Sequence, residues 1–181
     1  MHKFTLGMAM MLAPVFAQAP TFVPVDFEVP RLHQAAAFKL VPLGPDLAKQ
    51  DFDAYMSSIE HLQKTFTGNT NWPTDKVTMA EAVKDVEGEK ARFDARKSFT
   101  YSVLSLDGSR ELGCVYISPS RKQGYDAMVR VWVTKAQYDA GFEGVLIPDV
   151  KRWLKEKWPF EKVAWPKREI PQEQWSALPN K

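Results

Sequence analysis

A change of hydrophobic period partway along the chain restricts the fold more than any other feature. Ala48, Phe52, Tyr55, Ile59, Leu62 and Phe66 recur at spacings of four and three residues, which is one face of an α-helix. From Phe99 the period falls to two. Phe99, Tyr101 and Val103 alternate with polar residues. Leu112, Cys114 and Tyr116 take one strand face, with Val115 and Ile117 on the other. Ala127, Val129, Val131 and Val133 oppose Met128, Arg130 and Trp132. Asp107–Gly108 and the stretch from Ser118 to Gly124 are turns, so three sequential strands form an antiparallel meander.

The flanking segments complete the order. Phe38 to Leu43 is a short strand closed by Pro42 and Gly44–Pro45. The polar run from Thr67 to Pro73 ends the first helix. Thr78 with Glu81 three residues later is a capping box. It opens a charged second helix reaching about Lys97, with a thin seam of Met79, Val83, Val86 and Phe93. Leu146, Val150, Trp153 and Leu154 mark a third helix, ended by Trp158–Pro159. Lys162 to Trp165 is a last short strand. The fold class is therefore α/β of the α+β kind: a mixed, mostly antiparallel sheet flanked by helices.

Composition narrows the function. The 181 residues suffice for one core without disulfides or metals. Twenty-four basic against 22 acidic residues leave +2, too small an excess for a nucleic-acid binder. A single cysteine, Cys114, excludes a disulfide framework and a multi-cysteine zinc site, and reads as a buried small hydrophobe. His2, His33 and His61 have no metal-ligand spacing, so no metal is expected. No apolar run approaches the roughly 18–20 residues that span a bilayer.

Residues 1–19 run from Lys3 through an apolar stretch, Phe4 to Phe16, to the small residues Ala17 and Ala19. That is the order of a secretory signal peptide. It implies a periplasmic or secreted protein with no stable membrane anchor after cleavage, or a cytoplasmic one if the segment stays uncleaved. The alternative is an extra packed segment or a frayed tail. Residues 20–35, with Pro20, Pro24 and Pro30, form an extended arm on the domain or a free linker. Residues 36–181 are the folded domain.

Strand, helix, helix, three-strand meander, helix, strand resembles the front of the GNAT-fold N-acetyltransferases. The likeness covers about residues 36–166 and is carried by FKLVPL, DFDAYMSSIEHL, NWPTDKVTMAEAV, LGCVYISP, YDAMVRVWV and WPFEKVAWP. The resemblance implies an acetyl-coenzyme A cofactor between the last two of these strands. Its pantetheine arm would lie on the main chain of Val131, Trp132 and Val133, and its diphosphate on a Gln/Arg-x-x-Gly-x-Gly/Ala loop. Here that loop keeps Gly141 and Gly144. Asp139, Phe142 and Glu143 depart from the pattern, if Gly144 is its last position. Close backbone approach and positive potential are what phosphate needs, so the cofactor is expected to bind weakly. A turn with close helix packing is the other reading of these glycines. The family's usual C-terminal helix and strands, with their tyrosine acid, have no counterpart in the 15 residues after Pro166, so the domain is expected to be truncated at its C-terminus.

An acyl transfer to an amine needs a base and donors to the thioester carbonyl. Glu60 is the first candidate, Asp126 the second, and Tyr116 flanks the same region. Each also has a structural reading: a solvated helix residue, a turn residue and a packing residue. Two functions follow. One is an N-acetyltransferase acting on a small-molecule or peptide amine. The other is an exported, non-catalytic binding or accessory protein of the same fold.

Overall fold

The computed structural model describes residues 21–181; the expected signal peptide lies outside the described residues. The chain forms β1 (His33–Gln34), β2 (Lys39–Pro42), α1 (Ala48–Met56), α2 (Ile59–Leu62), a π-helical turn (Gln63–Thr67) and α3 (Met79–Asp94). There follow β3 (Phe99–Leu104), β4 (Glu111–Pro119), β5 (Ala127–Val133), α4 (Lys135–Asp139), α5 (Glu143–Lys157), β6 (Val163–Ala164) and α6 (Gln172–Ala177). The six strands lie in sequence order in one sheet. All neighbours are antiparallel except β5 and β6, which run parallel.

The two sheet faces carry separate cores. Val115, Ile117, Val129, Val131 and Val133 pack with Leu146, Val150, Trp153 and Leu154 of α5. Cys114 and Trp132 face the other way, among Tyr55, Leu62, Phe66, Ala82 and Val86. The arm lies on the first core. Val23 is buried, Phe22 stacks on Phe99 and Phe160, and the Tyr101 hydroxyl donates to the Pro30 carbonyl at 2.6 Å.

Two expectations need correction. The stripe from Ala48 to Phe66 is not one helix. Ser57 and Ser58 interrupt it: the Ser57 hydroxyl donates to the Ala54 carbonyl, and the Ser58 hydroxyl accepts from the Lys135 amide. Serine side chains compete in this way with the helical ladder. The break turns Ile59 to a half-buried position while Leu62 and Phe66 stay buried. The π-helical turn then ends at Gly68, whose φ of 73° glycine adopts without a Cβ clash. In α3 the capping box forms as expected, but Met79 is exposed and Ala82 takes its place in the seam with Val86 and Phe93.

A bulge in β4 matters more for chemistry. Val103 pairs with Gly113, yet Leu104 pairs with Glu111. The extra residue breaks the strict alternation. Leu112 joins the α5 face, and Glu111 comes onto the same face as Cys114.

Candidate functional site

β6 pairs with β5 only at Ala127 and Met128. β6 ends at Ala164, leaving the edge of Val131, Trp132 and Val133 without a strand partner on that side among the described residues. Here the resemblance would seat a pantetheine arm. Side chains already cover this edge. Arg168, from the tight turn after β6, donates Nη2–H to the Val131 carbonyl at 3.4 Å and to the Glu143 carboxylate at 2.5 Å. The His61 ring meets the Val133 carbonyl; burial lowers its pKa, and Glu143 nearby opposes that shift. The Trp132 indole turns to the other face and donates to the Tyr116 hydroxyl at 3.1 Å.

The loop from Thr134 to Glu143 does not cradle a diphosphate. Its amides point inward. Lys135 N–H donates to Ser58 Oγ, Gln137 N–H to Thr134 Oγ1, Gly141 N–H to the Tyr138 carbonyl and Phe142 N–H to the Gln137 carbonyl. Gly144 and Val145 donate back to Gly141 and Phe142. Gly141 supplies the left-handed turn at φ 73°. Phe142 is buried, edge-on to Phe38 at 5.7 Å. Gly141 thus forms the turn before α5, Phe142 packs into the core, and Glu143 and Gly144 lie in the first turn of α5. The charges expected to repel phosphate are themselves paired, Asp139 with Lys135 and Glu143 with Arg168. A carboxylate in the first turn of α5 already meets the helix dipole. α5 starts at Glu143 and runs through Pro148. The residues present do not fit a coenzyme A diphosphate.

A cavity of about 330 Å³ opens on the opposite face, between α1, α3 and the sheet. Tyr55, Phe66, Trp72 and Tyr116 form an aromatic wall, with ring centroids 5.1 Å apart for Tyr55–Trp72 and 5.6 Å for Phe66–Tyr116. Asp51, Asp85 and Glu89 supply carboxylates. Glu89 accepts from Thr100 Oγ1 at 2.6 Å and pairs with Arg92 at 2.7 Å. Asp85 makes no ion pair among the described residues. The Tyr55 hydroxyl is buried without a hydrogen-bond partner among the described residues, and burial pushes its pKa up, with Asp51 adding to the shift.

Of the three sequence candidates, Tyr116 alone lines this cavity. Burial raises the pKa of its hydroxyl. Glu60 is exposed on α2, in a separate groove of about 500 Å³ with His61, Lys135 and Tyr138. Asp126 accepts from the amides of Glu161 and Lys162 at 2.9 and 2.8 Å, which ties the start of β5 to β6. The three are thus not brought together.

Beneath the cavity lies a buried trio that the sequence did not reveal. The Cys114 thiol donates to Glu111 Oε1 at 3.0 Å and lies 3.5 Å from Asp51 Oδ1. Cys114 is buried as expected, but among carboxyl groups as well as apolar ones. Burial raises the Asp51 pKa to about 6, partly offset by hydrogen bonds from Glu111 and Cys114. Burial and the Asp51 charge push Glu111 well above the usual carboxylate range. One ligand atom from each of the three lies within 4.8 Å of the others, a spacing that a metal ion could bridge. Shared protons also account for it. The signal in the sequence was Glu111 three residues before Cys114, but strict alternation places the two on opposite faces.

No protein family and no curated protein matches the chain. Solved structures do. A Vibrio cholerae protein assigned as a ribosomal-protein-serine acetyltransferase superposes with a TM-score of 0.55 at 14% identity, over 72% of this chain and 68% of that one. A ribosomal-protein-alanine acetyltransferase of Vibrio fischeri gives 0.53 at 11%, over 69% and 67%. A ribosomal-protein alpha-N-acetyltransferase solved with coenzyme A gives 0.53 at 13%, over 66% and 64%. These likenesses show that the chain has the fold of the GNAT N-acetyltransferases.

Proposed function

We propose that this chain is a binding or accessory protein of GNAT fold that receives a cationic amine in the cavity between α1, α3 and the sheet. One observation carries the reading: the rings of Tyr55, Trp72 and Tyr116 and the carboxylates of Asp51, Asp85 and Glu89 line a single cavity, in which Arg92 is paired with Glu89 and Arg130 lies over Phe66, leaving Asp85 without an ion pair among the described residues. Aromatic faces attract cations, and a partly desolvated carboxylate adds a charge-assisted hydrogen bond. Glu143 and Arg168 in the cofactor slot support binding without acetyl-coenzyme A. The export expected of residues 1–19 fits this reading, since acetyl-coenzyme A is a cytoplasmic metabolite.

Acetyl transfer from acetyl-coenzyme A to an amine is the second reading. It is favoured by the acetyltransferase fold and by the Tyr116 hydroxyl in the cavity. Calorimetry on the full chain separates the two. Benzylamine should bind, and Asp85→Asn should weaken it about tenfold, the scale of one charge-assisted contact. Acetyl-coenzyme A should bind with a Kd on the order of 1 mM or weaker. Formation of N-acetylbenzylamine on mixing both would replace the first reading with the second.

A further inference from the structure

A second cavity, of about 450 Å³, lies between the π-helical turn, the end of β6 and α6. Phe66 and Arg130 line both cavities, so the stacked pair divides one groove in two. The Arg130 guanidinium sits 4.0 Å over the Phe66 ring. Its Nη2 donates to the Phe66 carbonyl at 3.3 Å, and Lys167 Nζ donates to the same oxygen at 2.9 Å. Two cations therefore converge on one acceptor. Among the described residues neither makes an ion pair, while the nearby Arg168 is paired with Glu143.

We propose that this cavity binds an oxyanion, a carboxylate or phosphate carried on a flat apolar body, held by Arg130 and Lys167 and resting on Trp175. Like charges gathered without a counter-ion are unfavourable unless an anion joins them. The backbone makes room for the arrangement. Lys167 adopts φ 63°, a left-handed conformation that costs a non-glycine residue and tends to mark functional positions. Opposite it stands Gly68, where a Cβ would come within 3.0 Å of Lys167 Nζ. Burial, then the charges of Arg130 and Arg168, lowers the Lys167 pKa, the direction expected of a cation set beside other cations. Trp175 and Met128 give the walls an apolar surface, and Gln172 adds an amide. This site rests on different residues from the amine reading, apart from the shared Phe66–Arg130 partition, and stands if that reading fails.

The test uses the full chain with benzoate, phenyl phosphate and neutral benzyl alcohol as probes, read by calorimetry. At low salt one of the two anions should bind at least about tenfold tighter than benzyl alcohol, with the advantage shrinking at about 0.5 M salt. The tighter anion identifies the oxyanion class. Lys167→Gln and Arg130→Gln should each weaken it about tenfold, whereas Lys64→Gln, in the separate α2 groove, should leave it unchanged. Equal binding of all three probes to the unmodified protein would overturn the proposal without any variant. Undiminished anion binding by Lys167→Gln would overturn it too.

Discussion

The carboxylate of Glu143 and the guanidinium of Arg168 meet at 2.5 Å beside the β5 edge at Val131, where the family resemblance implies a cofactor. Both side chains are about four-fifths buried. One occupies the start of α5 and the other the main-chain edge at Val131. A ligand entering this slot must displace a partly desolvated ion pair, and removing one partner alone strands the other.

The Glu143→Gln and Arg168→Gln double variant should therefore bind acetyl-coenzyme A several-fold tighter than the unmodified chain. Calorimetry checks this. Either single change should help less. Replacing Phe142 by glycine is a poor way to open the loop. Its ring is buried against Phe38, so truncation should cost about 3–5 kcal/mol. A double variant with unchanged affinity would mean that the inward-facing amides, not the ion pair, exclude the cofactor.

The break at Ser57–Ser58 makes Ile59 and Leu62 unequal, although the sequence stripe treats them alike. Leu62 is fully buried, so Leu62→Ala should cost about 2–5 kcal/mol. Ile59 is half-buried, and Ile59→Ala should cost about 1 kcal/mol. Denaturant midpoints of the two variants test the order. Equal losses would restore the continuous helix.

Legibility in the sequence followed the range of the interaction. Period, capping box and turn residues are local, and they placed the meander, α3 and α5. They also put Arg130 and Trp132 on one strand face. The site depended on features without a local pattern. The β4 bulge moved Glu111 across the sheet to Cys114. Arg168 reaches Glu143 across 25 residues of sequence. Lys122 lies in the turn that the sequence places between β4 and β5, yet its ammonium donates to the Ser176 and Leu178 carbonyls and holds the C-terminal segment. Asp126 read as a candidate base because its partners, two backbone amides, leave no trace in residue type.

Two glycines should respond in opposite ways. A Cβ on Gly113 would fall 2.0 Å from the Trp132 carbonyl oxygen, which belongs to the β5 backbone and cannot swing aside. Gly113→Ala should force β4 from β5 and cost about 3 kcal/mol or more. Gly144 sits within α5 with open space around the Cβ position. Gly144→Ala should raise stability by about 0.5–1 kcal/mol through helix propensity. Thermal unfolding of both variants measures the contrast.

The buried carboxyls fix how stability should depend on pH. An acid whose folded pKa lies above its unfolded value binds more protons in the native state between the two values. Its destabilising effect is therefore absent below the unfolded pKa, near 3.8 for Asp51, and complete above about 6. On this account the fold should gain stability from Asp51 as pH falls from 7 to 5, the reverse of a salt-bridged aspartate. Glu111 has the same sign. The lowered pKa of His61 acts oppositely, because the unfolded chain takes up that proton first. Comparison with Asp51→Asn cancels the histidine. The asparagine variant should lose roughly 1–3 kcal/mol of the gain that the parent shows between pH 7 and pH 5. Urea unfolding at the two pH values measures the difference. Parallel pH dependence in parent and variant would show that Asp51 titrates as an ordinary surface carboxylate and that the trio with Glu111 and Cys114 does not hold its protons.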